Sequence, residues 1–217
     1  MKTFFLFLIT VTSLLAAEPR AVVFDYGGVL AFSDRKIVDQ FVCESLSLTT
    51  DELKCSAAQE RRKAIKKGVP QSDFWQEYAK ARGIILTDDW KKTFNQILEG
   101  SLGINFEMFN LIDELKRREI VVGLLSNIGK VSAHTINQFG YYSSFDHCLL
   151  SCEMGVEKPN PRAYQILVEK IGIPPSDIVF FDDLPRNIDA AKKVGLDAVL
   201  FESAEQVREV LKQKRLL

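Results

Sequence analysis

The feature that most constrains this chain is a series of short apolar segments that alternate with amphipathic stretches from about residue 105 onwards. The segments IVVGLLSN, DHCLLS, DIVFFDD and DAVLFE are largely apolar until they end. Strands that are buried on both faces have this pattern, because helices cover both sides of a parallel sheet. An earlier segment, AVVFDYGGVL, begins with the same kind of apolar run. The pattern predicts an α/β fold in which these strands share one parallel sheet.

Residues 33–103 interrupt this alternation, since they contain helical patterns alone. Apolar residues recur there at helical spacing, and threonines and glycines stand where helices begin and end. We predict an all-helical cap at residues 33–103. It is inserted into a Rossmann-like core, with helices on both faces of the sheet, that comprises residues 21–32 and 104–217. A length of 217 residues suffices for one such core and a smaller appendage.

The N-terminal residues have the layout of a secretory signal peptide. Lys2 precedes an apolar run at residues 4–15, and two alanines follow before the first acid. The run is shorter than the roughly 20 residues that cross a bilayer. We therefore predict a signal peptide at residues 1–17, export to the periplasm or the medium, and no stable membrane insertion after cleavage. A cytoplasmic protein and an uncleaved N-terminal anchor remain alternatives, because no small residue stands three positions before the alanine that would end the peptide.

Composition narrows the range of partners. The chain has 28 basic and 29 acidic residues, which gives no electrostatic case for a nucleic-acid partner. A basic run at residues 61–67 is predicted to be a solvated helix face. No sequence feature sets an oligomeric state. The cysteines lack the spacing of a zinc site and are predicted to be free buried thiols; they are Cys43, Cys55, Cys148 and Cys152.

Polar side chains follow four of the predicted strands at the point where each strand ends. They are Asp25, the pair Ser126 and Asn127, Lys158, and the pair Asp182 and Asp183. Ligands of open parallel sheets bind outside the carboxyl ends of the strands, so these groups converge on one crevice. Each alone is explained by a helix cap, a turn or a solvated lysine. Four such groups in this order favour a functional site.

The chemistry of this set suits a phosphate dianion. Crowded carboxylates repel one another unless a cation lies between them, and a few oxygen ligands with water suit Mg²⁺. Lys158 and the cation would neutralise charge so that an anionic nucleophile can approach an anionic substrate. The Ser126 hydroxyl and the backbone N–H groups of Tyr26 and Gly27 could hold further phosphate oxygens.

The segments VVFDYGGVL, LLSN, EKPNP and VFFDDLPRN resemble the four motifs of the haloacid dehalogenase-like hydrolases. The resemblance covers residues 21 to about 202. The predicted helical insertion is similar to the small helical cap of one subgroup, and KKGVPQSDFW resembles a stretch common in such caps. The four motifs are specific as a set, although none is decisive alone.

The resemblance implies a role for each of these residues. Asp25 would be the nucleophile that forms an aspartyl-phosphate. Asp25, the Gly27 carbonyl and Asp183 would hold Mg²⁺, with Asp182 alongside, and Asn187 would support these ligands from behind. The groups that would bind the substrate phosphate are Tyr26, Gly27, Ser126, Asn127 and Lys158.

Gly27 departs from the pattern of most phosphatases of this family. They carry an aspartate two residues after the nucleophile, where it protonates the leaving alcohol; losing a general acid costs about 10²–10⁴ in rate. A leaving group that needs little protonation, as in an anomeric sugar phosphate or an acyl phosphate, would account for the glycine. Some relatives with a DxG first motif are similar in this respect. The chain would then hydrolyse a small phosphorylated metabolite, with sugar phosphates among the candidates.

Two further readings of Gly27 stay open. A halide leaving group needs no proton, but haloacid dehalogenases do not resemble this chain in the pair Asp182 and Asp183. The second reading is a phosphate-binding protein that has weak turnover and serves a regulatory or binding role. Phospho-accepting receiver domains use similar groups, but their acidic pair precedes the phosphorylated aspartate in the chain, whereas here it comes last.

Overall fold

The computed structural model describes residues 21–217. The predicted signal peptide at residues 1–17 lies outside the described residues. Within the described part of the chain, no helix combines the length and the apolar character that a bilayer crossing requires.

The centre of the molecule is a five-stranded sheet in the order β5-β4-β1-β6-β7. All four strand pairings in it are parallel, as predicted from the continuous apolar segments. β1 lies in the middle, where Phe24 is in register with Leu124 on one side and Phe181 on the other. The strands are β1 (Ala21–Phe24), β2 (Ala31–Ser33), β3 (Leu102–Ile104), β4 (Val121–Ser126), β5 (His147–Leu150), β6 (Ile178–Asp182) and β7 (Asp197–Leu200).

Helices cover both faces of this sheet, which confirms the predicted fold class. Val22 and Phe24 of β1 belong to one hydrophobic cluster, with apolar residues of α6, α7 and α11. The alternate residues, Ala21 and Val23, belong to a second cluster with α9 and α10. The helices are α1 (Arg35–Leu46), α2 (Thr50–Glu52), α3 (Ala58–Lys66), α4 (Gln71–Lys80), α5 (Asp88–Gly100), α6 (Phe106–Arg117), α7 (Lys130–Gln138), α8 (Ser151–Met154), α9 (Pro161–Ile171), α10 (Pro185–Val194) and α11 (Ala204–Gln213).

Helices α1, α4 and α5, with the turn between α2 and α3, form a hydrophobic cluster of their own, in which Trp75 and Phe94 are fully buried. A π-helical turn, Leu53–Ala57, joins α2 to α3. Thr49 caps α2 in a capping box with Glu52, so the start of that helix is stabilised by the side chain that the sequence supplies.

A two-stranded antiparallel ribbon of β2 and β3 joins these helices to the sheet. The sequence did not predict this ribbon, because strands of three residues are too short to show a periodic pattern. The two connections run in opposite directions side by side, and pairing satisfies their backbone groups. Gly103 packs closely against Phe32, whose ring would have to move to admit a Cβ at that position. The division into core and cap at residues 32–33 and 103–104 stays a prediction.

The four cysteines are free, as predicted. The expectation that they are buried is wrong: Cys55 is exposed and the other three are partly exposed. Cys55 lies on the outer side of the π-helical turn, which the sequence pattern did not reveal. β5 ends at Leu150, and Cys152 lies in the short helix α8.

Candidate active site

The carboxyl ends of the central strands bring the predicted site residues together. Asp25 follows β1 directly, Ser126 ends β4 and Asp182 ends β6. Lys158 reaches them from the loop between α8 and α9. All four are buried, with exposed fractions of 7%, 3%, 0% and 4% in the order just given. Polar groups with so little exposure require partners within the protein.

Lys158 is the cation at the centre of the site. Its Nζ lies 2.8 Å from Asp25 Oδ1 and 2.6 Å from Asp182 Oδ2, and 1% of its side chain is exposed. One lysine therefore compensates two buried carboxylates, and a third carboxylate, that of Asp183, lies beside them. The described residues of the site carry a net negative charge that favours a further cation.

The two neighbouring aspartates differ in what they contact. Asp182 Oδ1 accepts hydrogen bonds from the Leu184 N–H at 2.9 Å and from Asn187 Nδ2 at 2.8 Å. Asp182 Oδ2 accepts from Lys158 Nζ and from Asn187 Nδ2 at 3.0 Å. Each Asp182 oxygen thus has two donors, and this carboxylate holds Lys158 in place. Asn187 contacts Asp182 from behind, where the resemblance put it.

Asp183 is the carboxylate with unused acceptor capacity. Its Oδ1 is buried and has no hydrogen-bond partner among the described residues. Ligand atoms of Asp25, Asp182 and Asp183 all lie within 4.8 Å of one another. Asp25 and Asp183 are therefore close enough to share a cation. A small group of carboxylate oxygens completed by water or substrate fits Mg²⁺.

Burial of this cluster shifts the proton equilibria of its carboxyls. Desolvation raises the pKa of Asp25 from 3.8 to about 6; Lys158 acts against this shift and the Asp182 charge acts with it. Burial likewise raises the pKa of Asp183, and the neighbouring Asp182 charge adds to that effect. A divalent cation at the site would reverse both shifts, because it favours the ionised carboxylates.

The turn after β1 fixes the orientation of Asp25. The Tyr26 N–H donates to Asp25 Oδ1 at 2.7 Å, so it is engaged by that carboxylate rather than free for phosphate. The Tyr26 carbonyl accepts from the Leu30 and Ala31 N–H groups. The Gly28 N–H donates to the Ala31 carbonyl. None of these bonds uses the Gly27 carbonyl, which stays available for the predicted cation contact.

The two glycines of this turn have different reasons to be glycine. Gly28 has a φ of +86°, and a Cβ there would overlap the Asp183 carboxylate. Only glycine lets the backbone approach Asp183 so closely. A Cβ on Gly27 would meet no heavy atom within 4 Å, and its φ lies outside the left-handed region. Packing therefore does not exclude a Cβ at Gly27.

Asn127 contacts the backbone of Lys158 rather than an open pocket. Its Oδ1 accepts from the Lys158 N–H and its Nδ2 donates to the Lys158 carbonyl, both at 2.8 Å. The side-chain amide is thus occupied by the Lys158 backbone, so the predicted contact of this amide with phosphate is not available in this arrangement. Sequence reasoning missed this positioning contact, because it spans 31 residues and has no local signal.

A cleft of about 1050 Å³ adjoins these residues. Its wall includes Asn127 and Lys158 from the core and Arg62 and Ile65 from α3. Helix α3 and the loop before α7 approach closely here, since a Cβ on Gly129 would lie 3.1 Å from the Ile65 carbonyl oxygen. The cleft also contains Arg186 of α10, which the sequence analysis did not single out.

A model of the haloacid dehalogenase-like hydrolase family matches residues 19–195. The chain belongs to this family. The matched region runs from the strand that precedes Asp25 to the end of α10, so it includes all of the site residues described above.

The most similar curated relatives include phosphatases. A phosphatase from Mycobacterium tuberculosis is 34% identical over 100 residues, which is 45% of this chain and 46% of that protein. A sesquiterpene phosphatase from Aspergillus oryzae is 27% identical over 179 residues, covering 82% of this chain and 87% of the relative. The chain spans less than half the length of the first three curated relatives that it matches.

Solved structures share the architecture over nearly the whole chain. A HAD-like family hydrolase from Porphyromonas gingivalis superposes with a TM-score of 0.69 at 25% identity, covering 91% of this chain and 98% of its own. A HAD family enzyme from Bacteroides thetaiotaomicron reaches 0.71 at 21% identity, with 88% and 98% covered. The second likeness shows the fold alone.

Proposed function

We propose that this protein hydrolyses a small phosphate monoester in a Mg²⁺-dependent reaction through an aspartyl-phosphate on Asp25. The observation that carries the proposal is the buried and unpartnered Asp183 Oδ1, which lies beside an Asp25 carboxylate already held by Lys158. The phosphatase names of two relatives support it. So does the Bacteroides enzyme, which has been crystallised with magnesium and inorganic phosphate.

Asp25 would attack phosphorus through Oδ2, because Lys158 and the Tyr26 N–H both bind Oδ1. The positive charge of Lys158 and the dipole of the Tyr26 N–H hold the carboxylate in one orientation, so little orientational entropy is lost when it attacks. Mg²⁺, held by Asp25, Asp183 and the Gly27 carbonyl, would supply the charge neutralisation that lets a carboxylate approach a phosphate dianion. Lys158 and the Ser126 hydroxyl would bind equatorial oxygens of the phosphoryl group.

The lack of a side chain at Gly27 restricts which leaving groups can depart. A side chain that could protonate the departing oxygen is absent there, although the space for one exists. Esters of ordinary alcohols need that proton, whereas leaving groups of low pKa depart as anions. We therefore expect the rate to fall steeply as the leaving-group pKa rises. A phosphate-binding protein with little turnover is the second candidate, and Gly27 is again the observation that favours it.

The test is an assay of Mg²⁺-dependent hydrolysis against phosphate esters whose leaving groups span a wide pKa range. Asp25→Asn keeps the size of the side chain and removes the nucleophile, so hydrolysis should fall by at least about 10³-fold. The matched control is Asp189→Asn, an exposed aspartate on α10, which should retain the wild-type rate. Steady turnover that survives in Asp25→Asn would exclude the mechanism. Phosphate binding without any turnover would favour the second candidate.

A further inference from the structure

Two arginines that line the cleft beside the site have no role in the chemistry described so far. Arg62 comes from α3, and Arg186 lies in the first turn of α10. Both are exposed, and neither forms a hydrogen bond or ion pair with another described residue. Arg162 and Arg208, by contrast, form ion pairs with Glu169 and Glu114.

The two arginines share a cleft with residues of the candidate active site. Lys158 and Asn127 line the same cleft as Arg62 and Arg186. Arg186 is also close enough to Asp183 for its charge to act on that carboxyl. Glu157, the acid in the cleft wall, already has an interaction of its own. The cleft therefore presents two uncompensated guanidinium groups next to the phosphoryl site, one from α3 and one from the core.

A ligand for such a pair must be anionic, and guanidinium groups bind phosphate through two parallel hydrogen bonds. The missing acid at Gly27 requires a leaving group that departs without a proton. A phosphate leaving group meets both requirements, because it is already anionic and its departing oxygen is weakly basic. Arginines that bind it would stabilise the charge that develops as the bond breaks. The cleft volume of about 1050 Å³ accommodates a ligand larger than a single phosphate.

We propose that the substrate is an organic diphosphate, in which Asp25 attacks the terminal phosphorus while Arg62 and Arg186 bind the inner phosphate. This inference rests on the aspartyl-phosphate chemistry of the proposed function and replaces the alcohol leaving group by a phosphate monoester. The scissile bond is then a phosphoanhydride.

The reaction balances without a protein acid. Asp25 Oδ2 forms a bond to the terminal phosphorus, and the bond from that phosphorus to the bridging oxygen breaks. The organic monophosphate leaves with the bond's electron pair on its oxygen. Water then attacks the aspartyl-phosphate, which releases inorganic phosphate, regenerates the Asp25 carboxylate and gives one proton to the solvent. One water is consumed for each anhydride cleaved.

The experiment compares phenyl diphosphate with para-nitrophenyl phosphate, whose leaving group is acidic but carries no second phosphate. We expect wild-type protein with Mg²⁺ to hydrolyse both and to have the higher kcat/KM for phenyl diphosphate. The variant combining Arg62→Gln with Arg186→Gln should lose about 100-fold or more in kcat/KM on phenyl diphosphate. Its loss on para-nitrophenyl phosphate should be at least about tenfold smaller. Each single variant should show about a tenfold loss on the diphosphate.

Arg117→Gln, which removes an exposed arginine of α6 outside the cleft, is the matched control and should keep wild-type rates on both probes. Equal losses on both probes in the arginine variants would overturn the inference. So would wild-type protein that cleaves para-nitrophenyl phosphate and leaves phenyl diphosphate intact; the proposed function would then stand alone. If neither probe is hydrolysed, the proposed function fails and the substrate class fails with it.

Discussion

At the scale of single residues, Gly27 is the position where a substitution can add chemistry. A Cβ there meets nothing within 4 Å, so Gly27→Asp should fold like the wild type. Its carboxyl would stand two residues after Asp25 and could protonate a departing alcohol. We expect hydrolysis of esters with poor leaving groups to rise by about 10²-fold, since this is the range of general acid catalysis. Rates for acidic leaving groups should change much less.

Gly27→Asn is the control for this substitution, because it has nearly the same shape and cannot donate a carboxyl proton. A gain that appears equally in Gly27→Asn would rule out acid catalysis as its cause. An unchanged dependence on leaving-group pKa in Gly27→Asp would show that another group limits the reaction.

Gly28 should respond in the opposite way to its neighbour. Gly28→Ala forces a side chain into a left-handed conformation, at a cost of roughly 1–2 kcal/mol. The added Cβ would also overlap the Asp183 carboxylate. We expect urea unfolding to show a loss of stability of about 2 kcal/mol or more, together with weaker Mg²⁺ binding. Gly27→Ala should keep wild-type stability to within about 0.5 kcal/mol, and similar losses in the two variants would contradict this distinction.

At the scale of elements, the sequence predicted those site residues whose positions depend only on where a strand ends. The continuous apolar segments located β1, β4 and β6, and their last residues therefore fell at one edge of the sheet. The ribbon of β2 and β3 was missed, because its strands are too short for a period. The contact from Asn127 to the Lys158 backbone was also missed, because it joins two loops that only the folded sheet brings together.

That contact ties the loop after β4 to the loop that carries Lys158. Asn127→Ala removes two hydrogen bonds at 2.8 Å and leaves the Lys158 N–H and carbonyl without their partners. Each unsatisfied buried group costs about 1–3 kcal/mol, so we expect a destabilisation of about 2 kcal/mol in urea unfolding. Hydrolysis should fall by about tenfold or more, because Lys158 is no longer held against Asp25. Asn137→Ala, on the exposed side of α7, should change neither quantity, and an Asn127→Ala variant that matches it would refute the positioning role.

At the scale of the whole molecule, the site is built at the expense of folding stability. The sheet buries Asp25 and Asp182 together with a single lysine, and Asp183 beside them has an unpartnered oxygen. Crowding of this kind destabilises the metal-free fold at neutral pH, because the ionised carboxylates lose their hydration. A cation that binds the folded chain and not the unfolded one stabilises the fold, so Mg²⁺ at a hundredfold excess over its Kd should raise the free energy of unfolding by about 2.7 kcal/mol.

The pH dependence of unfolding in the presence of a chelator tests this view. Burial raises the pKa of Asp25 to about 6, so the metal-free folded state binds this proton more tightly than the unfolded state. The resulting stability is fully present below about pH 4 and is lost as the pH rises through about 6. A shift of this size corresponds to roughly 3 kcal/mol. Wild-type protein in EDTA should therefore lose up to that amount of unfolding free energy, relative to Asp25→Asn, between pH 4 and 7. Adding Mg²⁺ at pH 7 should raise the free energy of unfolding of the wild type more than that of Asp25→Asn. If the free energies of unfolding of the two proteins in EDTA changed in parallel with pH, burial would not destabilise the ionised Asp25 carboxylate in the folded state.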